Sequence, residues 1–298
     1  MSAPHRSGFV GIVGRPNVGK STILNHFIGG LPVAITSPKP QTTRHRILGV
    51  LTREDVQVAF VDTPGFHRPE HALGRRMLED VKAVIAEVDV LLAVIDGRTG
   101  LRPDDEEIFT RIRQAKRPCV LAINKVDITK KPLLLPILAA CDKLGLFSAC
   151  VPVSALTGDQ MDVLLKAVIA HLPEGPRWYE PEQRTDQTTT QMIGELVREQ
   201  LLIATHEEVP HAIAVQIEEI EERDKVTAVR ATILVEREGQ KAIVIGKGGA
   251  MLKTIGQKAR QQIERLLGRK VFLELWVKVS EDWRNDERIL RELGLQDS

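Results

Sequence analysis

Aromatic residues are scarce in this 298-residue chain, at 4% of the total. A sheet that reads nucleic acid by stacking bases on several rings is therefore not expected. Cysteine is nearly absent too: Cys119, Cys141 and Cys150 are the only three, and no two form a C-x-x-C pair. An odd, scattered count excludes a complete disulfide framework and predicts buried, reduced thiols of a cytosolic protein. Long apolar runs are missing. The longest, 88–95, is interrupted by Asp89 and is far too short to span a bilayer. Residues 1–8 are short and polar, which predicts no secretory signal. An excess of one charge is also missing, with 41 Lys plus Arg against 40 Asp plus Glu and a net charge of +1. Taken alone, that balance argues against nucleic acid as a partner. What remains, 43% hydrophobic and 27% charged residues, is an ordinary globular mix. The length is enough for about two domains.

Short Val- and Ile-rich runs at 9–13, 56–61, 88–95, 119–123 and 149–153 alternate with helical segments at 21–27, 74–86, 104–114, 133–144 and 161–171. Continuous apolar runs are the mark of parallel strands buried on both faces, so residues 1–173 predict an α/β domain. The polar, Pro-bearing stretch 174–190 reads as a linker. Residues 191–298 have a different texture and predict a smaller α+β domain. Its expected elements are a helix at 191–205, strands at 211–217 and 226–235, a basic amphipathic helix at 251–267 and a last strand at 271–279. The acidic run 218–222 reads as part of a solvated turn. Trp276 alternates with Leu275 and Val277 and is expected to pack in the core.

The sequence Gly14-Arg15-Pro16-Asn17-Val18-Gly19-Lys20-Ser21, followed by Thr22, matches G-x-x-x-x-G-K-[ST] between a strand and a helix. Its glycines let backbone N–H groups cradle phosphate oxygens, Lys20 supplies a cation to the β- and γ-phosphates, and the Ser21 hydroxyl suits Mg²⁺. Asp62-Thr63-Pro64-Gly65 ends one strand, with a carboxylate for Mg²⁺ and an amide for the γ-phosphate. Asn124-Lys125-Val126-Asp127 ends another, and the Asp127 carboxylate can accept two hydrogen bonds from guanine, a donor pair that adenine lacks. Ser154-Ala155-Leu156 follows a third strand and offers a backbone amide for the guanine O6. Ligands of open α/β sheets gather at such strand ends.

In this order and spacing the four motifs resemble those of translation-factor-class GTPases, which implies GTP or GDP as ligand, Mg²⁺ and a GTP-hydrolysing switch. The segment Gln41-Thr42-Thr43-Arg44-His45 lies where such proteins keep the switch threonine that closes over Mg²⁺. Thr43, directly before Arg44, is favoured over Thr42, and the expected Mg²⁺ set is Ser21, Thr43 and Asp62. Phe66 stands where Ras-like proteins keep a water-orienting glutamine, so hydrolysis is expected to be slow without a partner. Asn17 either helps hold a K⁺ ion that stabilises transition-state charge or only supports the loop backbone; both readings stay open. The loop residues His67 and His71 receive no role.

Gly246-Lys247-Gly248-Gly249 precedes a helix carrying Lys253, Lys258 and Arg260. The glycines permit close approach to a sugar-phosphate backbone and the cations hold it. The stretch resembles a type II KH domain, whose GXXG loop clamps single-stranded RNA. Composition alone reads 241–245 as a strand, whereas the resemblance implies a short helix there. A P-loop domain followed by a KH domain resembles the Era family of GTPases over nearly the whole chain. That resemblance implies a protein that binds 16S rRNA near its 3′ end and acts in assembly of the small (30S) subunit and rRNA maturation; a monomer is expected. It also implies a cytoplasmic protein with peripheral contact to the inner face of the membrane. The alternatives are a non-enzymatic RNA-binding scaffold, a tRNA-modification GTPase or an ATPase. The charge fits once it is resolved along the chain. Residues 1–173 carry +5 and 174–298 carry −4, yet 239–263 hold five cations and no acid. Attraction to RNA is confined to one stretch.

Overall fold

The structure, a computed structural model, describes residues 5–39, 41–66, 69 and 71–295, so His67 lies outside the described residues. In chain order the elements are β1 (Arg6–Val13), α1 (Lys20–Ile28), β2 (Ile47–Thr52), β3 (Val56–Asp62), α2 (Ala72–Glu87), β4 (Val90–Asp96), α3 (Pro103–Ala115), β5 (Cys119–Asn124), α4 (Lys131–Lys143), β6 (Ala149–Pro152) and α5 (Met161–Ile169). There follow α6 (Thr189–Ala204), β7 (Ala214–Glu222), β8 (Thr227–Val235), α7 (Glu238–Ile245), α8 (Ala250–Leu267), β9 (Val271–Val279) and α9 (Glu287–Glu292). They form two compact units. The first comprises 1–34, 43–68 and 77–186. The second comprises 187–298 together with two short pieces of the N-terminal half, 35–42 and 69–76.

The first unit is a six-stranded sheet of order β2-β3-β1-β4-β5-β6, parallel except for β2 against β3. Side chains alternate along each strand, so each face has its own core. Val10, Ile12, Phe60 and Leu92 pack with Ile23 and Phe27 of α1 and Leu164 of α5. Leu91, Ala93, Ile95 and Leu121 pack on the other side with Val84 of α2 and Ile108 of α3. This is the predicted α/β layer. The antiparallel strand β2 is an addition that the run pattern did not isolate. Gly11 permits the close approach of α2, since a Cβ there would lie 2.7 Å from Val84 Cγ1. The three thiols are free; Cys119 and Cys141 are buried and Cys150 is half-buried. Burial pushes the Cys119 and Cys141 thiols up to about 12.

The stretch read as a linker is laid along the first unit as far as residue 186. The Ser7 hydroxyl donates to the Pro176 carbonyl at 2.6 Å. The Gln57 side chain accepts from the Trp178 and Tyr179 amides at 2.7 and 2.9 Å. The Val50 amide donates to the Arg184 carbonyl at 2.8 Å, and Thr185 bridges to Gly49. Proline blocks a helix here, but it does not stop a strand-like strap from pairing with an edge.

The second unit holds a three-stranded sheet β7-β8-β9, antiparallel then parallel, packed on α6 and α8. Its α6 begins with a capping box in which Thr188 and Gln191 each satisfy the other's backbone amide, at 3.2 and 2.8 Å. Two readings are corrected. The acidic run Glu218, Glu219, Glu221 and Glu222 belongs to β7, not to a turn, and a register shift lies between Ile217 and Glu219. Edge position and cross-strand cations make this tolerable, with Glu219 paired to Arg230 at 2.5 Å. Trp276 is 62% exposed and Phe272 58%, because both lie on the face of β9 opposite the helices. Residues 241–245 are helical, within α7, as the KH resemblance implies and against the composition alone. Among the described residues no helix is long and apolar enough to cross a membrane.

Candidate nucleotide site and nucleic-acid loop

The C-terminal ends of β1, β3, β4 and β5 carry the loop at Gly14, then Asp62, Asp96 and Asn124. The close packing of the first loop dictates its glycines. A Cβ on Gly14 would sit 2.4 Å from the Val94 carbonyl oxygen, and one on Gly19 would sit 2.2 Å from Asn124 Nδ2. Gly65 is equally constrained, with Pro16 backbone atoms 2.6–2.7 Å from its notional Cβ. Asn124 is thus a cross-brace. Its Nδ2 donates to the Val18 carbonyl at 2.8 Å, and its Oδ1 accepts from the Ala155 amide at 3.0 Å. That amide is engaged within the protein and not directed outward. The Ser154 hydroxyl donates to Asp127 Oδ1 at 2.7 Å and fixes the carboxylate expected to read guanine.

Ser21, Thr43 and Asp62 converge. Ser21 Oγ donates to Asp62 Oδ2 at 2.6 Å and lies 3.0 Å from Thr43 Oγ1, which is 3.3 Å from the same carboxylate oxygen. Thr42 goes elsewhere, donating to the Lys39 carbonyl at 2.7 Å. Asp62 Oδ1 is buried and has no hydrogen-bond partner among the described residues. Burial pushes the Asp62 carboxyl above its usual value, opposed by the neighbouring Lys20 charge and by the Ser21 and Thr43 hydroxyls. Burial likewise pulls the Lys20 ammonium down to about 8 against the attraction of Asp62. Lys20 Nζ donates to the Gly14 and Arg15 carbonyls at 3.1 and 3.0 Å. A cation folded back on its own loop in this way is poised to swing to an incoming anion.

Other expected site residues sit differently. Arg15 turns to the start of α3, where its Nε donates to Asp105 at 2.8 Å. The Phe66 ring is buried in the sheet–α2 core with the Arg111 guanidinium 5.5 Å from its centroid. Its amide donates to the Gly14 carbonyl. Thr63 Oγ1 donates to the Ile12 carbonyl at 2.8 Å. Thr22 is half-buried on α1, and Leu156 is 81% exposed. Asn17 adopts a left-handed conformation with φ 62°, and its carbonyl accepts from Lys125 Nζ. His71 Nδ1 accepts from the Gly74 amide at 3.0 Å, a structural task.

Two functional groups escaped the sequence. Asp96 closes β4 and accepts from Lys125 Nζ at 2.8 Å and from Arg98 at 2.7 Å. Burial pushes its carboxyl up, but the hydrogen bonds from Arg98 and Lys125 outweigh that and leave it at about 2. Its signal was available, because it ends a strand as Asp62 and Asn124 do. Asn25 on α1 receives the Val33 and Ala34 amides, both at 3.0 Å, and anchors the chain just before 35–42. Nothing in its local pattern marks it.

In the second unit Gly246, Gly248 and Gly249 have φ of 73°, 59° and 80°. Gly246 is also crowded, with Met251 Cβ 2.6 Å from a notional Cβ, while Gly248 and Gly249 have open space. Lys247, Lys253, Lys258 and Arg260 are exposed. At about 100° per residue, Lys253 and Arg260 share one flank of α8 and Lys258 lies on the other. Lys258 is thus set apart from Lys253 and Arg260, while Lys247 stands in the turn before the helix.

The comparisons with known proteins agree with this geometry. Residues 9–125 match the family described as 50S ribosome-binding GTPase, and 208–284 match the KH domain. GTPase Era of Alkaliphilus metalliredigens (strain QYMF) is 45% identical over 294 residues, covering 98% of this chain and 99% of that protein. The chain belongs to the Era family of GTPases. Era of Staphylococcus haemolyticus (strain JCSC1435) is 45% identical over 291 residues, with 97% of each chain covered. A crystal structure of Era with MgGDPNP and nucleotides 1506–1542 of 16S ribosomal RNA superposes with a TM-score of 0.94 at 42% identity. It covers 98% of this chain and 99% of that one. An Aquifex aeolicus Era variant bound to GDP·AlF4⁻ gives 0.93 at 42% identity, covering 97% and 99%.

Proposed function

We propose that this Era-family GTPase is a GTP-hydrolysing switch that holds 16S rRNA near its 3′ end through the 246–249 loop and acts in small-subunit assembly and rRNA maturation. The observation that carries the reading is the convergence of Ser21, Thr43 and Asp62 beside Lys20, in a chain that also presents a GXXG turn. The matched Era structure holds MgGDPNP and a 16S rRNA fragment at once.

The donor set suits Mg²⁺. It consists of two hydroxyls and a carboxylate, all hard oxygen ligands, and Asp62 Oδ1 is buried with no hydrogen-bond partner among the described residues. Ser21 and Thr43 would ligate directly and Asp62 through water. When bound, the ion would neutralise charge on the β- and γ-phosphate oxygens. The loop amides from 14 to 21 orient the phosphates, and Lys20 leaves the Gly14 and Arg15 carbonyls to meet them. Asp127, held by Ser154, accepts from guanine. Asn124 keeps the phosphate loop and the base loop in register. With the Phe66 ring in the core, no side chain at that position orients the attacking water, so unassisted turnover is slow. Asn17 contributes to a K⁺ site; equal turnover in K⁺ and Na⁺ buffers overturns that part.

On the RNA side, Lys247, Lys253 and Arg260 grip the backbone at the loop, and nucleotide state gates the grip. The test is crosslinking of the full chain to the 1506–1542 fragment with GDPNP and with GDP. Crosslinks at 246–260 that differ in yield between the two states are expected; no crosslinks there in either state overturn the reading. Peripheral contact with an anionic membrane belongs to the same family expectation, and flotation with liposomes tests it.

A further inference from the structure

The segment 35–42 ends one residue before Thr43, yet it belongs to the second unit, and α6 grips it at both ends. Near its start, the Thr36 amide donates to Glu199 Oε1 at 3.0 Å. At its end, the Thr42 carbonyl accepts from the Arg198 guanidinium. Arg198 is only 3% exposed, an expensive place for a charge unless it is paired. Glu195 supplies the pairing, accepting from Arg198 Nε at 2.8 Å and from Nη2 at 2.6 Å. Glu199 does not stop at the segment. Its second oxygen, Oε2, accepts from Gln262 of α8 at 2.7 Å, and Gln262 Oε1 accepts in turn from Gln200 of α6 at 3.0 Å. Gln200 is itself 5% exposed.

One carboxylate therefore holds the segment with one oxygen and α8 with the other. It cannot follow the segment without changing its hold on the helix. Helix α8 starts at Ala250, directly after the GXXG turn, and Gln262 lies about 18 Å along it at 1.5 Å per residue. A regular helix transmits a shift at that point to its start.

We infer that Arg198 and Glu199 are positioning residues that report the state of the 35–42 segment to α8 and hence to the RNA loop. The inference rests on the proposed gating of RNA binding by nucleotide and supplies its route. When Thr43 changes its hold on Ser21 and Asp62, the Thr42 carbonyl moves with it. Arg198 and Glu199 register the change, and Gln262 carries it into α8. The readout that bears on this route is coupling between the two ligands, not stability.

The measurement is the ratio of affinities for the 1506–1542 RNA fragment with GDPNP and with GDP, by fluorescence anisotropy on the full chain. Sites coupled in this manner differ by about fivefold or more. Glu199→Leu and Gln262→Leu should each bring the ratio close to one. The swapped pair, Glu199→Gln with Gln262→Glu, should restore it to within about twofold of the original. In that pair the new amide side chain on α6 keeps a carbonyl for the Thr36 amide. It donates to the new carboxylate on α8, which still accepts from Gln200. Loss of packing alone would not be rescued by the exchange. A ratio unchanged in both single variants overturns the relay while leaving gating intact. A ratio of one in the unaltered protein overturns the gating reading and the relay together. Should Glu199→Leu not fold, Arg198→Lys takes its place. It keeps the charge but its nitrogen ends one bond short of Nη2, the atom that bonds both Glu195 and Thr42, and it has no second nitrogen for Glu195, so its ratio should also fall, and an unchanged ratio counts against the relay.

Discussion

Lys20 is protonated at neutral pH in the free protein, but only narrowly, because burial brings it to about 8. An anionic ligand favours the ammonium, so binding takes up a proton wherever Lys20 has lost one. Affinity for GDP should be flat near pH 7 and about fourfold weaker at about pH 8.5, where the base still keeps its N1 proton; titration calorimetry at the two values checks this. Asp96 works in the other direction. Its folded value, about 2, lies below its usual 3.8, so the ionised form contributes stability above about pH 4 that is lost as pH falls through about 2. Asp96→Asn should therefore cost about 2 kcal/mol in urea unfolding at pH 7, a loss that shrinks towards zero near pH 2. The sequence disclosed Lys20 through its motif but marked Asp96 only as the end of a strand. A motif names residues that touch a ligand, whereas Asp96 touches Lys125, and that contact exists only once β4 and β5 lie side by side. Arg198 was hidden for a similar reason. It appears as one more cation on an amphipathic helix until the fold buries it.

At the level of elements, periodicity succeeded where one face is buried and failed where burial depends on a neighbour. Helix α8 was legible because Ile255, Ala259 and Ile263 recur on one face and glycines stand at both ends. Trp276 was misread because alternation shows that one face turns inward without saying which; the larger side chain went out, and Leu275 and Val277 went in. The acidic run deceived because its charges suggested solvent, and an edge strand satisfies that demand as well as a turn does. The glycines of the 246–249 loop are unequal, and this can be measured. Gly246→Ala must carry a positive φ and also displace Met251, a cost of about 2 kcal/mol or more. Gly249→Ala meets open space and should cost about 1 kcal/mol, from its conformation alone. Thermal melts should rank the two in that order, and equal losses would show that the crowding at Gly246 relaxes freely.

For the molecule as a whole, the sequence pointed to a P-loop GTPase domain followed by a KH domain, because each motif sits at the end of an apolar run. It did not show that 35–42 and 69–76 are shared out to the second unit. No composition change marks those segments, which join the second unit through contacts such as the Ala72 amide on Asn285 at 2.8 Å. Nor did it show that 174–186 is a strap. That strap has a consequence for how the protein keeps its solubility. Strand β2 is the outer strand of the large sheet, and the Val50 amide and the Gly49 backbone meet Arg184 and Thr185 of the strap. Without it, a row of backbone donors and acceptors would face water in extended form, a template on which a second molecule could lay its own edge. A chain ended at Pro173 should therefore self-associate with concentration, visible by light scattering, while one ended at Asp186 should stay dispersed. Equal scattering from the two would show that the edge needs no cover. The residues that carry the chain out of its GTPase fold thus also serve as a guard against aggregation.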